Sequence, residues 1–127
     1  MATREDLRRL ALSLPETTVD ETDSSYSVAG KAIAWTWHER VDPKKPRVPN
    51  PGVIAVRVAH ESEKELLIEV DPSVFFTEPH YDGYPAILVR LAAIDVDTLE
   101  RILHDAWKLR APKKLVERSK PSSNLAR

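Results

Sequence analysis

The chain has 127 residues and a mass of 14.4 kDa, the size of one ordinary domain, which excludes a two-domain enzyme with a separate cofactor fold. Hydrophobic residues make up 42% and charged residues 31%, with 19 Lys and Arg against 20 Asp and Glu, a balance that excludes intrinsic disorder. Cysteine is absent, and with it disulfides, thiolate metal sites and cysteine nucleophiles.

Thr3 to Leu14 reads as a helix, because Leu7, Leu10, Ala11 and Leu14 recur at i, i+3, i+4 and i+7 while Thr3 caps the start and Pro15 stops the end. From Ser24 the period falls to two. Tyr26 and Val28 alternate with small polar residues, Gly30-Lys31 makes a turn, and Ile33, Trp35 and Trp37 follow on one face. This β-hairpin is expected to lay those three side chains against the helices, since they form the largest apolar strand surface in the chain.

Glu39 to Gly52 carries Pro43, Pro46, Pro49 and Pro51, a density that predicts a stiff extended loop. Arg40, Lys44, Lys45 and Arg47 make this loop basic. Val53 to Val58 is a β-branched strand, after which Ser62 and Glu65 have the spacing of a capping box opening a short helix toward Ile68. Val74 to Pro85 is aromatic and punctuated by proline, an ordered loop without a period. Ala86 to Leu91 is a further strand. Asp97 and Glu100 open a last helix whose Leu99, Ile102, Leu103, Ala106 and Trp107 form a stripe, closed by Pro112.

This order predicts an α+β domain over residues 1–115, an antiparallel sheet with helices packed on one face, followed by a basic, flexible tail over residues 116–127. From Lys108 onward there are seven basic residues and one acid, against 12 and 19 before it. Apolar runs are too short to span a bilayer and no signal segment opens the chain, so a cytoplasmic protein with no membrane partner is expected.

His38, His60, His80 and His104 lack metal-ligand spacing, and the acidic stretch Glu16, Asp20, Glu21, Asp23 reads as a solvated turn, so no metal or cofactor is expected. His80 stands apart. It lies among Tyr81, Asp82 and Tyr84 in the aromatic loop, where Glu78, His80 and Asp82 could make an acid–base group. No nucleophile elbow or phosphate-cradling glycine loop accompanies it.

Phe76, Pro79-His80-Tyr81, Gly83-Tyr84-Pro85, the strand Val89-Arg90-Leu91, the helix from Leu99 to Trp107 and the Ala111-Pro112 close together resemble the MmcQ/YjbR family of small bacterial proteins. With the weaker likeness of the first helix and the Gly30-Lys31 hairpin, the resemblance spans most of residues 3 to 115. It implies a double-wing α+β fold related to frataxin and a DNA-binding role, and it supplies no catalytic residues. The expected function is a non-enzymatic protein that holds DNA by its phosphates through Arg40, Lys44, Lys45 and Arg47 on the loop and Lys113, Lys114, Arg118 and Lys120 on the tail. The alternative is a small-ligand or enzymatic pocket built from His80, Tyr81, Asp82 and Tyr84. A monomer is the favoured oligomeric state. One contiguous positive face would argue for DNA, whereas a concave site lined by His80, Tyr81 and Tyr84 would argue for a ligand.

Overall fold

The structure is a computed structural model that describes residues 1–119; Lys120 and the residues beyond it lie outside the described residues. Helix α1 spans Arg4–Leu12, and strands β1 to β4 span Thr17–Val19, Ser25–Val28, Lys31–Glu39 and Val48–Arg57. Helix α2 follows over Glu61–Val70, then strands β5 and β6 over Phe75–Phe76 and Ala86–Arg90, and helices α3 and α4 over Val96–Arg110 and Lys113–Ser119. All strand pairings are antiparallel, in the order β1-β2-β3-β4-β6-β5. The α+β sheet with helices on one face is therefore as expected, with two short edge strands, β1 and β5, that the sequence did not announce. Two or three residues carry too little periodicity to be read as strands.

The helical layer covers one face. Leu7, Leu10 and Ala11 of α1 and Leu99, Leu103, Ala106 and Trp107 of α3 bury against Tyr26, Val28, Ile33, Ile54, Val56, Ile87 and Val89 of the sheet. Trp107 is fully buried and its indole N–H donates to the Pro15 carbonyl at 3.0 Å, so the stop of α1 is fastened to α3. The opposite face carries a smaller cluster of Trp37, Val53, Ala55, Tyr81, Ala86 and Leu88, with Trp35 and Phe76 partly buried beside it.

That second cluster corrects the expectation that Ile33, Trp35 and Trp37 share the helix-facing side. In the β2–β3 ladder Tyr26 pairs with Ala34 and Ser27 with Ala32, which leaves Ile33 as an extra residue. The bulge lets Ile33 and Ala34 both enter the helix-side core, and every residue after it changes side. Trp35 and Trp37 thus line the face away from the helices.

The loop expected over residues 39–52 is shorter than that. Glu39 pairs with Val48, His38 with Pro49 and Trp37 with Asn50, so the hairpin continues to β4 and the loop proper is residues 40–47. Prolines are tolerated there because β6 ends opposite Val53, leaving this part of β4 on an edge where a missing N–H breaks no ladder.

Helix ends also shift. Thr3 and Asp6 form the α1 capping box. By contrast α2 is capped by the backbone of His60 without a side-chain bond, not by Ser62, and α3 by Asp95, whose carboxylate accepts from the Thr98 N–H at 2.7 Å. Pro112 closes α3, but α4 starts at once, with Leu115 buried and Val116 packed on the core. The expected boundary between domain and tail at residue 115 therefore falls inside a helix.

Candidate functional site

The aromatic loop becomes a site through a tight turn. Asp82 has φ −62° and ψ 129°, Gly83 has φ +77°, and the Tyr84 N–H donates to the Tyr81 carbonyl at 3.0 Å, the geometry of a type II β-turn that needs glycine at its third position. The turn is preceded by a single 3-10 turn over Pro79–Tyr81. Tyr81 and Tyr84, at its two ends, are brought to 5.9 Å between ring centroids with planes at 84°.

Lys64 pins this turn. Its side chain is only 3% exposed, and Nζ donates to the Tyr81 carbonyl at 2.7 Å and the Tyr84 carbonyl at 3.0 Å while pairing with Glu61 at 2.9 Å. A buried ammonium is tolerable when its protons are all engaged, and here they hold the turn against α2. The residue went unremarked in the sequence, although Lys64, Leu67 and Ile68 stand at i, i+3 and i+4, which places the lysine on the inner stripe of α2.

Across the sheet Trp35 completes the arrangement. Its indole N–H donates to the Tyr81 hydroxyl oxygen at 3.1 Å, and its ring meets that of Tyr84 at 6.3 Å and 71°. His80 stands at 5.8 Å and 70° from Tyr81. Together Trp35, His80, Tyr81 and Tyr84 line a cavity of about 260 Å³. Burial pushes the Tyr81 phenol above its ordinary value of 10.0, the Trp35 N–H opposing and the Glu78 charge adding to the rise, so the ring stays neutral at physiological pH. Arg57 stands over the Tyr84 ring at 5.5 Å. A neighbouring pair, Trp37 and Phe76, meets edge to face at 5.5 Å, with Arg90 over Phe76 at 4.1 Å.

Three of the four expected pocket residues, His80, Tyr81 and Tyr84, thus converge. Asp82 does not line the cavity; it is exposed at the second position of the turn. The acid–base group of Glu78, His80 and Asp82 is not formed either, because Glu78 pairs with Arg47 at 3.3 Å. Trp35 was expected in the helix-side core, and the bulge that redirects it is not written in the local sequence. Among the described residues no group of three or more His, Asp or Glu is placed to hold a metal, and no helix is long and apolar enough to cross a membrane.

The basic residues are spread over different parts of the fold. Arg40 donates to the Pro43 and Lys45 carbonyls and so braces its own loop, while Arg47 binds the His38 carbonyl and Glu78. Lys113, Lys114 and Arg118 sit on α4, which packs by Leu115 on the helical side, and Arg118 reaches Glu16 at 3.4 Å. The loop's Arg47 lies instead beside the aromatic turn, through Glu78.

The site and fold define an α+β protein whose sheet is covered by helices on one side and carries an aromatic cavity on the other. The chain belongs to the YjbR family, whose model matches residues 12–109. It is 39% identical over 123 residues to "Uncharacterized protein Rv2570" of Mycobacterium tuberculosis (strain ATCC 25618 / H37Rv), covering 92% of this chain and 95% of that one. The same figures hold for "Uncharacterized protein Mb2600" of Mycobacterium bovis. The crystal structure of Deinococcus radiodurans protein DR2400, of domain family DUF419, is similar in fold, with a TM-score of 0.61 at 18% identity over 99% of this chain and 89% of that one.

Proposed function

We propose that this YjbR-family protein is a binding protein whose small ligand enters the cavity of Trp35, His80, Tyr81 and Tyr84. One observation carries the reading. Side chains from two segments nearly fifty residues apart meet around an open cavity instead of packing shut, and Tyr84 is left 44% exposed at its edge. Large aromatic surface held in place by a buried lysine and a glycine turn, yet left partly uncovered, is what an apolar small-molecule site requires. The cavity is small, just below the lower end of the range for drug-sized ligands, and so fits a small group. Protein-observed NMR with a compound panel tests this, with the Trp35 indole N–H as reporter. Shifts centred on Trp35, Tyr81 and Tyr84 and lost in Tyr84→Leu are expected; a panel that leaves these signals unmoved would remove the reading.

A second reading keeps the DNA role that the family resemblance implies, through phosphate contacts. It is favoured by Lys44, Lys45, Lys113 and Lys114, exposed lysines with no ion pair among the described residues. Arg40, Arg47 and Arg118 are already engaged, and Lys120 lies outside the described residues. Absence of binding to any duplex at low salt would end this second reading.

A further inference from the structure

The shape and chemistry of the cavity walls narrow the ligand class. Tyr81 and Tyr84 meet at 84° and Trp35 and Tyr84 at 71°, so adjacent walls stand nearly at right angles. A flat ligand stacks best in a slot between parallel rings. Tyr84 stands across both other rings and so closes one side of the space, and three ring faces around one space suit a rounded group that touches several of them at once.

The polar groups point the same way. Trp35 has given its N–H to the Tyr81 oxygen, and no lysine or arginine lines the cavity, so apart from the His80 imidazole and the two tyrosine hydroxyls it offers no donor, and it offers no permanent positive charge to an anion. Two cations around the aromatic turn are committed elsewhere: Lys64 to two carbonyls and Glu61, and Arg47 to Glu78. Arg57 over Tyr84 shows that this ring already seats a positive group, and Arg57 is not among the cavity's walls.

Resting on the small-ligand reading above, we infer that the cavity is an aromatic cage for a methylated ammonium group. A quaternary ammonium carries charge without N–H donors, so it is recognised by ring faces and asks for no acceptors. An unmethylated ammonium holds its water more strongly, and the His80 imidazole and two tyrosine hydroxyls replace only part of that hydration, so it binds more weakly. The group can arrive on a free small molecule or on a methylated lysine of a peptide; the chemistry at the cage is the same.

The experiment titrates the full-length protein, followed by Trp35 indole NMR shifts, with choline, with its neutral isostere 3,3-dimethylbutan-1-ol, and with indole as a flat neutral probe. Peptides carrying trimethyllysine and plain lysine form a further pair. Choline is expected to bind about 10-fold or more tightly than the isostere. Tyr84→Phe should keep affinity within about 3-fold because the ring face is retained, whereas Tyr84→Leu should lose about 10-fold with an unchanged circular dichroism spectrum. Stronger binding of the trimethyllysine peptide than of choline assigns the source to a protein, and the reverse assigns it to a small molecule. Equal or tighter binding of the isostere or of indole overturns the cationic inference and leaves the small-ligand reading standing. No shift with any of these probes overturns the inference as well, and the broader compound panel then decides the small-ligand reading separately.

Discussion

At the scale of single residues, Lys64 carries the most structural consequence for its size. Its ammonium is the common partner of the two carbonyls at the ends of the aromatic turn, so its loss removes a charged hydrogen bond from each and leaves them only their backbone donors, Tyr84 and Ala86. Lys64→Met, which keeps most of the apolar stem, should cost about 1–3 kcal/mol in urea unfolding and should also weaken ligand binding at the cavity. A variant as stable as the parent, with an unaltered Tyr84 environment, would show that the turn holds itself. Asp20 gives the residue-scale pH dependence. The backbone N–H of Ser24, with that of Ser25 and the Thr22 and Ser24 hydroxyls, holds its carboxyl down at about 2 from the ordinary 3.8, against a smaller desolvation effect. Because the folded value lies below the unfolded one, the stabilisation is complete above the unfolded value and is lost as pH falls through about 2. The stability advantage of the parent over Asp20→Asn should therefore shrink on acidification from pH 5 toward pH 2, read from urea midpoints. A constant difference over that range would refute it.

At the scale of elements, α1, α3, the hairpin and the strand ending in Arg57 were legible because each carries its own period and its own stop. Thr3 with Asp6, Pro15 and Pro112 mark boundaries through local hydrogen bonding and fixed φ, which need no distant partner. The bulge at Ile33 was not legible, since it is a property of pairing between β2 and β3 and changes the side of every following residue. Its consequence is measurable. Trp37 and Trp107 lie in separate clusters on opposite faces, where the uncorrected alternation would have joined them. Trp107→Ala should cost about 3–5 kcal/mol. In a double-mutant cycle built from the milder Trp37→Phe and Trp107→Phe, the two effects should add to within about 0.5 kcal/mol. A larger coupling energy would mean that the two indoles share a core.

At the scale of the whole molecule, the distribution of charge limits how DNA could be held. Lys113 and Lys114 stand on a helix fastened to the helical layer by Leu115, whereas the loop of Lys44 and Lys45 extends from the β3–β4 hairpin, tied through Arg47 to the aromatic turn. A single duplex meeting one of these sets would release about two counterions. The plot of log K against log salt should then have a slope of about −2, which Lys113→Glu with Lys114→Glu abolishes if α4 is the contact. A slope of −4 or steeper would show that both sets reach one duplex.

The sequence by itself determined the α+β class, the main helices and strands and the family likeness, and it singled out His80, Tyr81 and Tyr84 as neighbours in one aromatic loop. The elements follow from periodicity, stops and spacing within a few residues, and the likeness rests on short motifs of the same reach. Tertiary structure alone decided that Trp35 faces Tyr81, that Lys64 is the buried anchor, that Glu78 is taken by Arg47, and that the basic residues sit on separate parts of the fold. These are meetings between segments 17 to 46 residues apart, fixed by strand register, by one bulge, and by the need of buried polar groups for partners, none of which leaves a local mark on the chain.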